Sequence, residues 1–181
     1  MRVIAGRYKG HQLVSFDADH LRPTTDRVKG SIFNKLQTLT AGARFLDLFA
    51  GTGSLSIEAL SRDAGSVTSV ENNAKSLKIL KQNLNKLKIT EGIKIEPFDV
   101  FKYLKKYQEQ AFDVILVDPP FTQKLANEVM QAIASSAVIG SGTVVVIESG
   151  KHEPIADDYA PLVLQDRRDY GDKKLSFFSC P

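Results

Sequence analysis

Apolar positions along the chain switch between two spacings. In "DVILVDPPF", Asp113 to Phe121, the residues Val114, Ile115, Leu116 and Val117 run without a polar break, the pattern of a parallel strand covered on both faces. Pro119 and Pro120 then deny the strand further ladder bonds. Similar short runs are "RFLDLF", "SVTSVE", "IKIEPF" and "GTVVVIES", and between them "SLSIEALSR", "NAKSLKILKQNLNKL", "VFKYLKKY" and "QKLANEVMQAIASS" carry helical spacing. Strands alternating with helices predict right-handed crossovers and a mostly parallel, doubly wound α/β sheet. The end breaks this rhythm. "APLVLQDRRDY" and "KKLSFFSC" flank "GD" with no helix between them, so they predict an antiparallel edge hairpin and a total of seven strands.

Ahead of the alternating part, "RVIAGRYKGHQLVSF" holds two short extended runs around Gly6 and Gly10, consistent with a small hairpin-like arm. From Thr25 to about Leu39 the residues Val28, Ile32, Phe33, Leu36 and Leu39 recur at helical spacing, with Thr24 or Thr25 as cap and Asp26 in the first turn. The expected division is a basic arm and helix over 1–41, an appendage, and a main α/β domain over 42–181.

At 181 residues, 43% hydrophobic and 25% charged, the chain has the material for one domain with a substantial core. Cys180 is the only cysteine, which excludes a disulfide framework and a cysteine zinc site and fits a reducing, cytoplasmic setting. "MRVIAGRYKGHQL" lacks an apolar signal-peptide core, and no apolar run approaches the roughly 20 residues that span a bilayer. His11, His20 and His152 make no metal-ligand spacing, so neither a metal nor a membrane is expected. The net charge of +3 is modest, but its distribution is uneven: residues 1–44 hold eight Lys or Arg against three Asp, whereas the remainder holds sixteen against eighteen acids. A basic segment on a slightly acidic body is an electrostatic handle for phosphates. The lysines 75, 78, 81, 86 and 88 instead read as a solvated helix face, because Leu77, Leu80, Leu84 and Leu87 account for the spacing.

In doubly wound sheets ligands bind beyond the carboxyl ends of the strands. One such end is "FLDLFAGTGSLSIEAL", where Gly51 and Gly53 permit a tight turn before a helix. Asp47, inside that strand, opposes a pyrophosphate and favours a ligand bearing a cationic or ammonium group. Glu71 lies twenty residues after Gly51, where a carboxylate can accept both ribose hydroxyls of an adenosine. Asp99 can accept from an adenine amine while the Val100 amide donates to the ring; a helix cap explains Asp99 equally well.

These residues resemble the class I S-adenosylmethionine-dependent methyltransferases, with their Rossmann-like fold, and more closely the bacterial RsmD-type small-subunit ribosomal RNA guanine-N2 methyltransferases. Besides "DLFAGTGSLSIEAL" and "DPPF", the likeness covers "RVIAGRYKGHQL", "RPTTDRVKGSIFNKL" and "DYGDKKLSFF". The resemblance implies S-adenosyl-L-methionine as cofactor, held by Asp47, Phe49, Ala50, Gly51, Thr52 and Gly53, with Glu71 and Asn72 at the ribose, Asp99 and Val100 at adenine, and Asp118 close by. It implies that Asp118, Pro119, Pro120 and Phe121 face the target base, and that the partner is 16S ribosomal RNA or the small ribosomal subunit, with guanine 966 as target. Arg7, Lys9, Arg22, Thr25 and Arg27 are the expected RNA contacts, with Arg44 a further candidate. Acceptors at Asp118 and the Pro119 carbonyl would hold both hydrogens of the exocyclic amine and free its lone pair for in-line attack.

The motif alone leaves adenine N6 and DNA open. An NAD-dependent oxidoreductase would need a third glycine where Ser56 stands and no acid opposing the pyrophosphate. A non-catalytic RNA-binding module would have no need of an intact "DPPF".

Overall fold

The computed structural model describes residues 1–15 and 26–181. Along the chain it has α1 (Asp26–Leu36), β1 (Arg44–Leu48), α2 (Ser54–Ser61), β2 (Ser66–Val70), α3 (Ala74–Lys86), β3 (Ile93–Glu96), α4 (Val100–Lys106), β4 (Val114–Val117), α5 (Ala126–Ala134), β5 (Val144–Gly150), β6 (Asp158–Tyr159), β7 (Leu162–Tyr170) and β8 (Lys173–Ser179). The strands form one sheet in the order β3-β2-β1-β4-β5-β8-β7-β6. The first five are parallel, and β8, β7 and β6 are added antiparallel at one edge. This is the α/β Rossmann-like architecture expected from the sequence. It has eight strands rather than seven, because Asp158 and Tyr159 pair with Val163 and Leu162, and two residues are too few to carry a period.

The uninterrupted apolar run of β4 is buried along its whole length, as its central place between β1 and β5 requires. Alternate side chains serve two layers. Leu46, Leu48, Ile115, Val117, Val145 and Ile147 pack with α4 and α5. Phe45, Val67, Val114, Leu116 and Val146 pack with α1 and α2 on the other face, where α3 joins α2 through Leu80, Leu84 and Ile57. The chain leaves β1 through α2 on one side and enters β4 from α4 on the other. The crevice of such a sheet therefore opens between the carboxyl ends of β1 and β4.

Helix α1 buries Val28, Ile32, Phe33 and Leu36, each contributing on the order of 1.5 to 3 kcal/mol through burial. It ends at Leu36 rather than near Leu39; Gln37–Leu39 forms a 3-10 turn and Leu39 is exposed. The cap expected at Thr24 or Thr25 lies outside the described residues. The arm is looser than a hairpin ladder, with a single antiparallel bridge between Arg2 and Gln12, yet Val3 and Leu13 are buried against Leu80 and Leu84. Gly6 fixes its route: φ is +79°, and a Cβ there would lie 1.7 Å from the Ser61 carbonyl oxygen, so no other residue fits.

A buried charge cluster fastens arm, α1 and α2 together. Glu58, with no exposed surface, accepts the Ile4 and Ala5 amides at 2.8 and 3.1 Å and pairs with Lys29 at 3.4 Å and Arg62 at 2.9 Å. Lys29 also donates to the Arg2 carbonyl at 2.5 Å and to Ser54 Oγ at 3.1 Å. Burial lowers the Lys29 pKa, opposed by the Glu58 charge. Removing one member would leave a buried charge uncompensated. No helix among the described residues is long and apolar enough to cross a membrane.

Candidate active site at the carboxyl ends of β1, β4 and β5

After β1 the chain turns through residues of positive φ: Phe49 at 64°, Gly51 at 55° and Gly53 at 80°. Phe49 is the informative one, since a bulky side chain in the left-handed region is strained and such strain concentrates at functional sites. At Gly53 a Cβ would come within 3.0 Å of Leu80 Cγ, so the loop packs directly on α3. Helix α2 begins at Ser54 with no side-chain cap; the Ser56 amide serves the Asp47 carboxylate, which leaves the Ser54 and Leu55 amides to the crevice or a ligand.

Asp47 stands at the wall of this crevice, 1% exposed. Its Oδ2 accepts from the Ser56 hydroxyl at 2.5 Å, and Ser56 Oγ is 2.7 Å from Ser69 Oγ. Its Oδ1 has no hydrogen-bond partner among the described residues. Burial pushes the Asp47 pKa up to about 7; the Ser56 hydrogen bond works against this, and the charges of Asp118 and Glu71 add to it. A buried carboxylate with an orphaned oxygen is costly unless a ligand satisfies it. An ammonium is the donor that would do so. The open helix end, the acid and the strained loop together thus fit an amino-acid-bearing, cationic cofactor such as S-adenosylmethionine.

Glu71, at the end of β2, is already used as a loop brace: Oε2 accepts the Gly51 amide at 2.8 Å and Oε1 the Asn73 amide at 2.7 Å. Each carboxylate oxygen has a second lone pair for a hydroxyl donor. Asn72 is exposed beside it. Asp99 caps α4, accepting the Lys102 amide at 3.0 Å, so the capping reading of this residue holds. Val100 is buried in the α4 layer, and the exposed Phe98 lies next to Asp99.

The "DPPF" corner lies on the same side of the sheet. Leu116 is in register with both Asp47 and Val146, so two residues further on Asp118 and Glu148 emerge side by side on the face that carries Asp47. Asp118 is half-buried, Pro120 is exposed, and Phe121 starts a 3-10 turn, Phe121–Gln123. Glu148 and Lys173 form a buried ion pair, and the Lys173 ammonium lies over the Phe121 ring, 4.3 Å from its centroid. The Glu148 pKa is raised to about 7 by burial first and the Asp118 charge second, against the pull of Lys173.

Sequence reasoning passed over Glu148, Lys173 and Asn83. Glu148 falls within a run read only as a strand, and Lys173 within the closing "DYGDKKLSFF" stretch, where no role was attached to it. Asn83 carried a signal: it interrupts the apolar stripe of Leu80, Leu84 and Leu87. It is fully buried, accepts the Val14 amide at 2.7 Å, and donates to the Val14 and Thr52 carbonyls, each at 3.0 Å. It thereby ties the arm to the glycine loop.

The basic residues are not gathered in one place. Arg27 lies 6.0 Å from the Tyr170 ring, and Tyr170 hydrogen-bonds Ser31 at the β7–β8 turn, on the crevice side where Lys173 pairs with Gly150. Arg7 instead pairs with Asp63 at 3.2 Å, both exposed, beyond the C-terminal end of α2 and at the amino ends of the strands. There Arg7 lines a concavity of about 510 Å³ with Lys88 and Gly92. Lys9 is exposed on the same arm. Arg44 donates to the Ala111 carbonyl at 3.2 Å and packs over Phe112. Arg22 and Thr25 lie outside the described residues. Among the described residues no cluster of His, Cys, Asp or Glu could hold a metal ion.

Residues 1–179 match the family model described as "Conserved hypothetical protein 95". The "Ribosomal RNA small subunit methyltransferase D" of Haemophilus influenzae is 36% identical over 157 residues, covering 86% of this chain and 81% of the relative. The "Putative rRNA methyltransferase YlbH" of Bacillus subtilis is 33% identical over 173 residues, 94% of each chain. Among solved structures, the "Putative methyltransferase yhhF from Escherichia coli" superposes with a TM-score of 0.87 at 28% identity, over 99% of this chain and 97% of that one.

Proposed function

We propose, because the chain belongs to the ribosomal RNA small subunit methyltransferase D family, that it transfers a methyl group from S-adenosyl-L-methionine to the exocyclic N2 amine of a guanine in 16S ribosomal RNA, on the small subunit in the cytoplasm, with guanine 966 as the target. The observation that carries this reading is the juxtaposition of Asp47, with one buried oxygen lacking a partner among the described residues, and the Asp118–Phe121 corner on the same face of adjoining strands.

The sulfonium of the bound donor supplies an electrophilic methyl. Asp47 Oδ1 accepts from the ligand's ammonium, the residues from Phe49 to Gly53 and the open first turn of α2 receive its carboxylate, Glu71 and Asn72 take the ribose, and Asp99 with the Val100 amide takes adenine. Asp118 and the Pro119 carbonyl hold the hydrogens of the target amine, Pro120 keeps the turn rigid, and Phe121 stacks on the base, worth on the order of 1 to 3 kcal/mol. Asp118 need not act as a strong base, because the product ammonium is acidic enough to lose its proton to water. Residues 1–41 act as the RNA-contacting part, through Arg7, Lys9 and Arg27 and, outside the described residues, Arg22 and Thr25; residues 42–181 are the methyltransferase part.

Incubation with labelled cofactor and small subunits from cells lacking the modification, followed by mass mapping of the labelled nucleoside, tests this. N2-methylguanosine is the expected product. N6-methyladenosine would replace the guanine reading by the adenine one, and no transfer to RNA would defeat both.

A further inference from the structure

We propose that the buried Glu148–Lys173 pair positions the stacking ring: Glu148 holds the Lys173 ammonium against one face of Phe121, leaving the ring's other face for the target base. This rests on the methyltransferase reading above and assigns positioning residues to the same site.

The pair is placed by the sheet. Gly150, at the end of β5, is in register with Lys173, at the start of β8, so the lysine side chain begins at the rim of the crevice. Glu148 comes from the neighbouring position on β5 that faces Asp118. Both partners are nearly inaccessible, with side chains 7% and 2% exposed. Two charges withdrawn from water are weak stabilisers, and apolar residues of equal volume would serve the fold as well or better. What the ammonium touches at this corner is the Phe121 ring, 4.3 Å from its centroid.

The ring needs such a brace. Phe121 follows two prolines and opens a single 3-10 turn, so no neighbouring helical or ladder bond orients it. An ammonium over one face attracts the ring quadrupole and restricts its rotation. It also draws π-density to that face, so the opposite face better accepts an electron-rich base. Glu148 holds the cation in place between two further acids, Asp118 and Asp172, whose charges both act on Glu148. Glu148 Oε2 is buried without a hydrogen-bond partner among the described residues, so among them Lys173 is the hydrogen-bond partner of the Glu148 side chain.

The test uses Lys173→Met, Lys173→Arg, Glu148→Gln and the double variant Glu148→Gln/Lys173→Met, which removes both charges and so avoids leaving one stranded. Each is also made on a Phe121→Leu background. Steady-state kinetics with small subunits, calorimetry with the cofactor, and the fluorine resonance of 4-fluorophenylalanine placed at position 121 are measured. Lys173→Met and the double variant are expected to raise the KM for subunits about tenfold, to leave the cofactor Kd within about twofold, and to shift the fluorine resonance; Lys173→Arg restores the KM. On the Phe121→Leu background the same changes add nothing, because they act through the ring. An unmoved subunit KM or fluorine resonance in the double variant, with wild-type enzyme transferring label normally, overturns the positioning inference alone. A wild-type enzyme that labels no RNA overturns the functional reading and this inference with it.

Discussion

Asp47 carries opposite demands on its two oxygens, one satisfied by Ser56 and the other facing no donor among the described residues. Its pKa is raised from 3.8 to about 7, so the folded chain holds this proton more tightly than the unfolded one. Stability from this group is therefore unaffected below about pH 4, falls as pH rises toward 7, and stays reduced above it. Asp47→Asn resembles the protonated form, so the variant is expected to melt at a higher temperature than wild type above pH 7, by the equivalent of a few kcal/mol, on the order of three pKa units. The gap should close near pH 4. Equal melting profiles would show that the burial penalty is not present. The same proton competes with a cationic ligand, so cofactor affinity in wild type should weaken as pH falls below 7, by up to about tenfold per unit, while Asp47→Asn binds weakly at every pH by calorimetry. Asp118→Ala is expected to abolish turnover with cofactor affinity within a few fold; near-normal turnover would refute the proposed grip on the amine. At this scale the acids that the structure brings to the crevice, Asp47 and Asp118, stood out in the sequence, one inside an apolar strand and the other directly after one. Glu148 and Lys173 did not, since a pair formed between two strands far apart in sequence has no local spacing to betray it.

Among the elements, the five parallel strands and their helices could be read from period alone, because each is long enough to show a repeat or a doubly buried run. The two-residue strand β6 could not, and neither could the early stop of α1, where Gln37, Thr38 and Leu39 tighten into a 3-10 turn. The capping role of Asp99 and the bracing role of Glu71 show one residue serving both a helix or loop and, by the proposal, a ligand. The arm makes a sharper prediction. Gly6→Ala places a methyl 1.7 Å from the Ser61 oxygen at a φ of +79°, and strain plus the enforced shift of the arm should cost on the order of 2 to 3 kcal/mol in denaturant unfolding. Gly10→Ala, with nothing within 4 Å, should cost only the strain of its positive φ.

For the whole molecule, the uneven charge read from the sequence is distributed over both ends of the sheet rather than along one rim. Arg27 is beside the Tyr170 turn at the crevice, whereas Arg7 is with Asp63 at the amino ends; a linear count of charges does not distinguish such placements. If RNA covers the crevice as proposed, Arg27→Gln should lower the slope of log affinity against log salt by about 0.7 to 0.9. Arg7→Gln should lower it less, since Asp63 already offsets that charge; an unchanged slope for Arg27→Gln would remove it from the interface. The fastening of the first fifteen residues has a practical corollary. Deleting them would strip two amide donors from Glu58, empty the space that Val3 and Leu13 fill against α3, and free Asn83 from Val14, loosening Thr52 with it. Inactivity of a shortened chain would thus mix a loosened glycine loop with the loss of Arg7 and Lys9, and could not be credited to a missing grip on nucleic acid alone.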